Sequence, residues 1–262
     1  MELQVAEMPK FTDLHRPDSP AADIRLPDAV TVRHGPIGLL SRFFLKADQI
    51  ARDRGIRLRV RTDMEELLDL NRRETAKGNW YAVLPPFNCE LDELTPENSF
   101  WISGVDEKGE TVVAQAARLY QWHDSSLADH VREMMYPDPA CTLPCYVHCE
   151  AAHKIRGVVY FGGSTWIRPD HRRKGLGGLM PQVSRAYGAA TWGTDWLIAF
   201  IQRHLIELNM HQAYGYREAS FGFSLPGSPW GDLEIALARQ SSLELMANLE
   251  AFLSKGSKAA AA

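Results

Sequence analysis

The chain has 262 residues, 45% of them hydrophobic and 24% charged, with a formal net charge of −4. That length and apolar content suit one sizeable folded domain with extensions, and the acidic balance excludes a broad basic surface of the kind that neutralises nucleic-acid phosphates. No apolar run reaches the roughly 20 residues of a membrane span and the first residues lack the basic and apolar regions of a signal peptide, so the expectation is a cytoplasmic protein with neither a membrane nor a nucleic-acid partner.

Residues 1–55 read as an arm followed by a helix. Pro9, Pro17, Pro20 and Pro27 interrupt a polar stretch with no sustained period. From residue 36, Ile37, Leu40, Phe44, Ala47 and Ala51 recur at helical spacing up to Gly55. This amphipathic helix covers either the core of the domain downstream of it or a partner subunit.

Ile56, Leu58 and Val60 then alternate with Arg57, Arg59 and Arg61, the period of a half-buried strand. Thr62 or Asp63, with Glu65 or Glu66 three positions on, resembles a capping box and opens a helix through Met64, Leu67 and Leu68. A looser segment to residue 98 holds Trp80 and Tyr81. Residues 100–105 and 111–122, joined across Asp106-Glu-Lys-Gly109, predict a hairpin. Residues 125–136 predict a helix, residues 137–155 a cysteine-containing loop, and Gly157 to Ile167 a strand. Beyond a glycine-rich turn, Leu176, Leu179, Met180, Val183 and Tyr187 mark a helix that Pro181 should kink. Residues 196–201 predict a strand, 202–213 one helix, 216–223 and 232–238 a closing hairpin turning across 225–229, and 241–254 a last helix.

Four cysteines make no disulfide framework in a chain of this size. Cys141, Cys145 and Cys149 with His148 and His153 contain the right atoms for a metal, yet they lack paired knuckles on turns. Buried reduced thiols and no metal are the expectation.

The segment with the most chemical content is Ile167-Arg-Pro-Asp-His-Arg172-Arg173-Lys174-Gly175-Leu176-Gly177-Gly178. A strand running through a glycine turn into a helix suits an anion, because the first helical amides lack intrahelical partners and carry the positive end of the macrodipole. Arg172, Arg173 and Lys174 add charge, and the glycines admit a phosphate to the backbone. A Walker loop requires Gly-Lys-Ser/Thr, but Leu179 follows Gly178. The glycines at 175, 177 and 178 do not fit the dinucleotide fingerprint, although Asp195 lies near its acidic position.

What they fit is Arg/Gln-x-x-Gly-x-Gly/Ala, as Arg172-x-x-Gly175-x-Gly177, preceded by Ile167-x-Pro169 at a strand end. This resembles the acyl-CoA pyrophosphate loop of the GNAT acyltransferase superfamily, and the order of predicted elements over about 56–240 is that of its fold. The resemblance implies an α/β (α+β) architecture: a central, mostly antiparallel mixed sheet with a splayed parallel strand pair and helices on both faces. It implies domains at 1–55 (arm and helix), 56–240 (acyltransferase) and 241–262 (helix and tail).

By the same resemblance, acetyl-CoA is the cosubstrate. Its pantetheine arm lies between the splayed strands beside the backbone of Thr165, Trp166 and Ile167. Its pyrophosphate lies on the segment from Arg172, Arg173 and Lys174 through Gly175, Leu176, Gly177 and Gly178. The implied reaction is direct attack by an amine on the thioester, which needs a base, backbone amides for the oxyanion and an acid for the thiolate. In many members the acid is a tyrosine four residues before the glycine of a Gly-Phe pair. Here the pair is Gly215-Tyr216, which places His211 at that position and leaves Tyr214 as a second candidate. The strand 157–167 carries no carboxylate, so the base is Glu150, His148 or His153 upstream, or a water chain serves instead. Acceptor selection falls to the segment with Trp80 and Tyr81 and to the loop 137–155. The partners implied are acetyl-CoA, an amine acceptor and, through the flanking helices, a possible homodimer. The alternative is a non-catalytic acyl-CoA-binding or interaction protein on the same fold.

Overall fold

The computed structural model of the chain describes residues 25–259, with side chains to residue 254. Most of the proline-bearing arm and the last residues lie outside them. In chain order the elements are α1 (Ile37–Arg52), β1 (Arg57–Arg61), α2 (Met64–Ala76), β2 (Ser99–Val105), β3 (Thr111–Trp122), α3 (Leu127–Met135), β4 (Tyr146–Val147), β5 (Gly157–Ile167), α4 (Leu176–Trp192), β6 (Trp196–Gln202), α5 (Arg203–Glu207), α6 (Met210–Ala213), β7 (Glu218–Ser228), β8 (Gly231–Ser241) and α7 (Ser242–Ala259).

The eight strands form one sheet in the order β1-β2-β3-β5-β6-β8-β7-β4. β5 and β6 are its parallel pair, and the other neighbours run antiparallel. On one face, α1, α4 and α7 bury Leu40, Phe43, Val183 and Leu249 against Leu58, Phe100 and Tyr160 of the sheet. On the other, α2, α3 and the 137–155 segment bury Leu67, Val131 and Cys149 against Trp101, Phe161 and Phe223. This is the mixed sheet with helices on both faces that the GNAT resemblance implies.

Local chemistry accounts for several element boundaries. Asp63 caps α2 by accepting from the Glu65 and Glu66 amides at 3.0 and 3.1 Å. Ser126 and Asp129 make a reciprocal capping box at the start of α3. Gly55, at φ +72°, closes the end of α1. α1 packs on its own domain: the Phe43 and Phe252 rings meet edge to face at 5.3 Å, and Lys46 Nζ donates to the carbonyls of Phe252 and Leu253.

The structure departs from the sequence reading in three places. Residues 202–213 form two short helices, because Asn209 turns left-handed at φ +55° between them. The last hairpin turns between Ser228 and Gly231, where Ser228 Oγ donates to the Gly231 carbonyl at 2.5 Å. Leu225 stays paired with Leu233, and the irregularity between Leu225 and Ser228 accommodates Pro226, which has no amide to donate. The 137–155 segment is not wholly loop, since Tyr146 and Val147 pair with Ser224 and Phe223 at the sheet edge. As expected, one helix, α4, carries Leu176, Leu179, Met180, Val183 and Tyr187, and it holds Pro181 within its run to Trp192.

Candidate functional site

β5 and β6 pair over only three residues each, Val159–Phe161 against Trp196–Ile198. Beyond that point β5 stays bonded to β3 and β6 to β8, so the two strands part company and the sheet opens between them. The opening lies at the carboxyl end of β5, where the chain enters the glycine turn.

A bulge shapes the β5 wall of this opening. Ala114 faces Trp166 and Ala116 faces Gly163, so Ser164 and Thr165 together oppose Gln115, and Ser164 adopts φ +49°. Gln115, buried to 2% exposure, clamps the bulge: its amide donates to the Gly163 carbonyl at 3.1 Å, and Thr165 Oγ1 donates to its side-chain oxygen. Past Phe161 no strand among the described residues pairs with β5 on its β6 side, so that edge of Thr165, Trp166 and Ile167 borders the opening.

After a 3-10 turn at Pro169–His171, α4 begins with Gly175 at φ +71°. The left-handed turn directs the amides at the start of α4 outward, with no side-chain cap taking them. The glycines serve different ends. A Cβ on Gly177 would meet only Ile167 Cδ1, at 3.6 Å, so the space in front of this residue is open. A Cβ on Gly178 would stand 2.8 Å from the Ala213 carbonyl, so this glycine admits α6 rather than an anion.

The basic residues also divide. Arg168 is consumed within the protein, bridging Asp106, Glu110 and Asp170. Those carboxylates raise its pKa above the ordinary arginine value, with the Asp170 hydrogen bond leading. Arg172 turns back to donate to the carbonyls of Ile167 at 3.1 Å and Asn79 at 3.3 Å. Arg173, exposed and at φ +61°, meets no carboxylate among the described residues. Lys174 approaches His171 at 3.5 Å. Burial leads the lowering of the His171 pKa, with Lys174 adding to it. Arg54, at the end of α1, brings its guanidinium within 3.2 Å of the Cβ position on Gly175, and the sequence carried no sign of this.

His211 and Tyr214 lie together at the α6 corner beside α4. His211 is 9% exposed and its Nδ1 has no hydrogen-bond partner among the described residues. Tyr214 is half-buried, and burial raises its phenol pKa. Arg185 of α4 fastens this corner. Its buried guanidinium stacks 4.0 Å above the Tyr216 ring and donates to the Tyr214 carbonyl. The sequence hides Arg185 because it falls among the apolar positions of a buried helix.

Glu150 lies elsewhere. It is exposed and lines a cavity of about 390 Å³ with Lys154, Trp196, Glu218 and Arg239. Trp196 is the first residue of β6, so this cavity sits at the closed end of the β5–β6 pair, and the structure does not bring Glu150 to the turn. His148 and His153 are exposed on the same segment. Asp195 accepts the Val158 amide at 2.8 Å and so serves the sheet. The four cysteines are unpaired, and among the described residues no three His, Cys, Asp or Glu side chains gather as metal ligands. No helix among them is long and apolar enough to cross a membrane.

On the sheet face opposite α4, the 77–98 segment approaches the opening. Trp80 stacks on Trp166 at 5.2 Å and 15°, and the Trp166 indole donates to the Asn79 carbonyl at 3.2 Å. Tyr81 is 85% exposed.

No protein-family model and no curated protein matches the chain. Solved structures similar to it include Arabidopsis thaliana NAA60 in complex with acetyl-CoA, at 11% identity over 71% of this chain and 98% of that one, with a TM-score of 0.47. A GNAT-family acetyltransferase from Streptococcus pneumoniae is 11% identical over 70% of this chain and 99% of that one, with a TM-score of 0.41. A GNAT phosphinothricin acetyltransferase from Sinorhizobium meliloti, in complex with acetyl-CoA, is 14% identical over 71% and 89%, with a TM-score of 0.37. At these values the reading of the site rests on the chain's own geometry.

Proposed function

We propose that this chain is an acyl-CoA-dependent N-acyltransferase that transfers acetyl from acetyl-CoA to an amine. The observation that carries the reading is the opening between β5 and β6 leading directly to the glycine turn, with open space at Gly177 and, beside it, Arg54, Arg173 and Lys174, which pair with no carboxylate among the described residues. The donor set suits a phosphate ester carrying an amide-bearing arm: free strand-edge backbone in the opening, then helix-start amides and guanidinium groups.

In this reading the Thr165–Ile167 backbone pairs with the pantetheine arm as a neighbouring strand would, held in position by Gln115. The amides from residue 175 onward, with Arg173 and Lys174, take the pyrophosphate. Acetyl-CoA supplies the activated acyl group as a thioester. At the α6 corner, Tyr214 Oη keeps its proton through neutral pH, since burial raises its pKa, and is the proposed donor to the leaving thiolate. His211, buried beside it with Nδ1 unpartnered among the described residues, is the second candidate. Glu150 receives no step, because it stands at the closed end of the strand pair. Trp80 and Tyr81 border the acceptor side. A homodimer through the flanking helices would use the outer surfaces of α1 and α7, where Leu45 and Leu243 are exposed.

One observation favours the alternative of a non-catalytic acyl-CoA-binding protein: β5 carries no carboxylate along its whole length. Calorimetric titration of acetyl-CoA into the wild type and Gly175→Glu, followed by thiol detection of CoA release with a panel of amines, tests both readings. Binding lost in the folded variant, with release stimulated by an amine, supports the transferase. Binding with no amine-stimulated release supports the alternative, and no wild-type binding overturns both.

A further inference from the structure

We propose that the turn between α1 and β1 supplies a cation to the anion turn: Arg54 takes a phosphate oxygen of the bound acyl-CoA. The inference rests on the acyl-CoA reading above.

Position, rigidity and charge all lead to Arg54. A guanidinium nitrogen lies 3.2 Å, and the central carbon 3.7 Å, from the Cβ position on Gly175, the residue at which α4 starts. The side chain therefore flanks the amides whose direction Gly175 sets.

The corner that presents it is fixed. The amides of Arg54, Gly55 and Ile56 donate to the carbonyls of Ala51, Arg52 and Ala51 at 3.0, 2.9 and 3.0 Å. Ile56 and Ala51 are fully buried in the core that α1 shares with α4. Little conformational freedom remains in the backbone to be lost when a ligand binds.

Arg54 is partly exposed, and among the described residues no carboxylate or carbonyl accepts from its guanidinium. The contrast with Arg168, shared among three carboxylates, and with Arg172, turned onto two carbonyls, is direct. A planar guanidinium beside outward-facing helix amides matches the paired oxygens of a phosphate, and its charge adds to the helix dipole.

The test measures affinity for CoA and 3′-dephospho-CoA in the wild type, Arg54→Ala, Arg54→Lys and a charge-matched control, Arg73→Ala, on the exposed side of α2 across the sheet. The expected result is a loss of about tenfold or more in Arg54→Ala, the size of one charge-assisted hydrogen bond. Partial recovery in Arg54→Lys and less than about twofold change in the control complete the expectation, with melting temperatures unchanged. An equal loss for both probes assigns Arg54 to the diphosphate, and a loss confined to CoA assigns it to the 3′-phosphate. Wild-type binding with no loss in Arg54→Ala, or with an equal loss in the control, overturns the role of Arg54 alone. Absence of wild-type binding to either probe overturns the acyl-CoA reading with it.

Discussion

The carbonyl oxygen of Ala213 lies 2.8 Å from the point a Cβ on Gly178 would occupy, so the start of α4 and the end of α6 touch through a glycine. The contact ties the corner bearing His211 and Tyr214 to the helix whose first amides face the opening. It also separates two neighbouring glycines that look equivalent in the sequence. Gly178→Ala forces α6 to move and is expected to lower stability by about 1–3 kcal/mol. Gly177→Ala has room and replaces a helical glycine, so stability is kept or raised by up to about 1 kcal/mol. Its new methyl enters the proposed phosphate space, and CoA affinity falls. Thermal melts and CoA titrations of the two variants check the opposite pattern.

Tyr214 titrates above the usual phenol range because burial disfavours the phenolate. A phenol acting as acid is active while protonated, so the Tyr214-dependent part of kcat is expected to persist through neutral pH and to decline only as pH rises past its raised pKa. Tyr214→Phe should lower kcat and remove that alkaline limb with little effect on CoA binding. Glu150→Gln should leave kcat and its pH profile unchanged within about twofold. Rate profiles across pH distinguish the two.

Arg168 joins the β2–β3 turn to the end of β5 by pairing with Asp106, Glu110 and Asp170. Burial, the largest influence on Asp106, pushes its pKa up, but the Glu110 and Lys108 amides and Arg168 together bring it below the ordinary aspartate value. A depressed carboxylate contributes stability that is complete above its unfolded pKa and is lost as pH falls through the folded one. Arg168→Ala should therefore cost about 1–3 kcal/mol at neutral pH by leaving the buried Asp106 without its cation. The difference from wild type should shrink in acid, as urea melts at several pH values would show.

Trp80 reaches the opening from the face opposite α4 and stacks on Trp166. Trp80→Ala is expected to raise KM for the amine several-fold while CoA affinity stays within about twofold, because the proposed phosphate contacts lie beyond β5. Bisubstrate kinetics and a CoA titration separate these effects.

Much of the fold was legible because its signals are local. Alternation at Ile56, Leu58 and Val60, the capping residue Asp63, and Gly55 at a helix end each act within a few residues of themselves. So does the run from Arg172 to Gly178, which marks the end of a strand and the start of a helix. Two errors were also local in origin: apolar spacing across 202–213 hid the left-handed turn at Asn209, and Pro226-Gly227 drew the hairpin turn forward although the strand absorbs both.

The tertiary structure decided how those local pieces meet. It sent Arg172 back onto carbonyls, gave Gly178 to Ala213, placed Glu150 at the closed end of the strand pair and brought Arg54, in the turn after α1, to Gly175. These are distances between segments far apart in the chain, set by which helix packs on which face and by where two strands stop pairing. Short-range periodicity carries no record of them, whereas a cap, a turn or a strand end needs only the residues beside it.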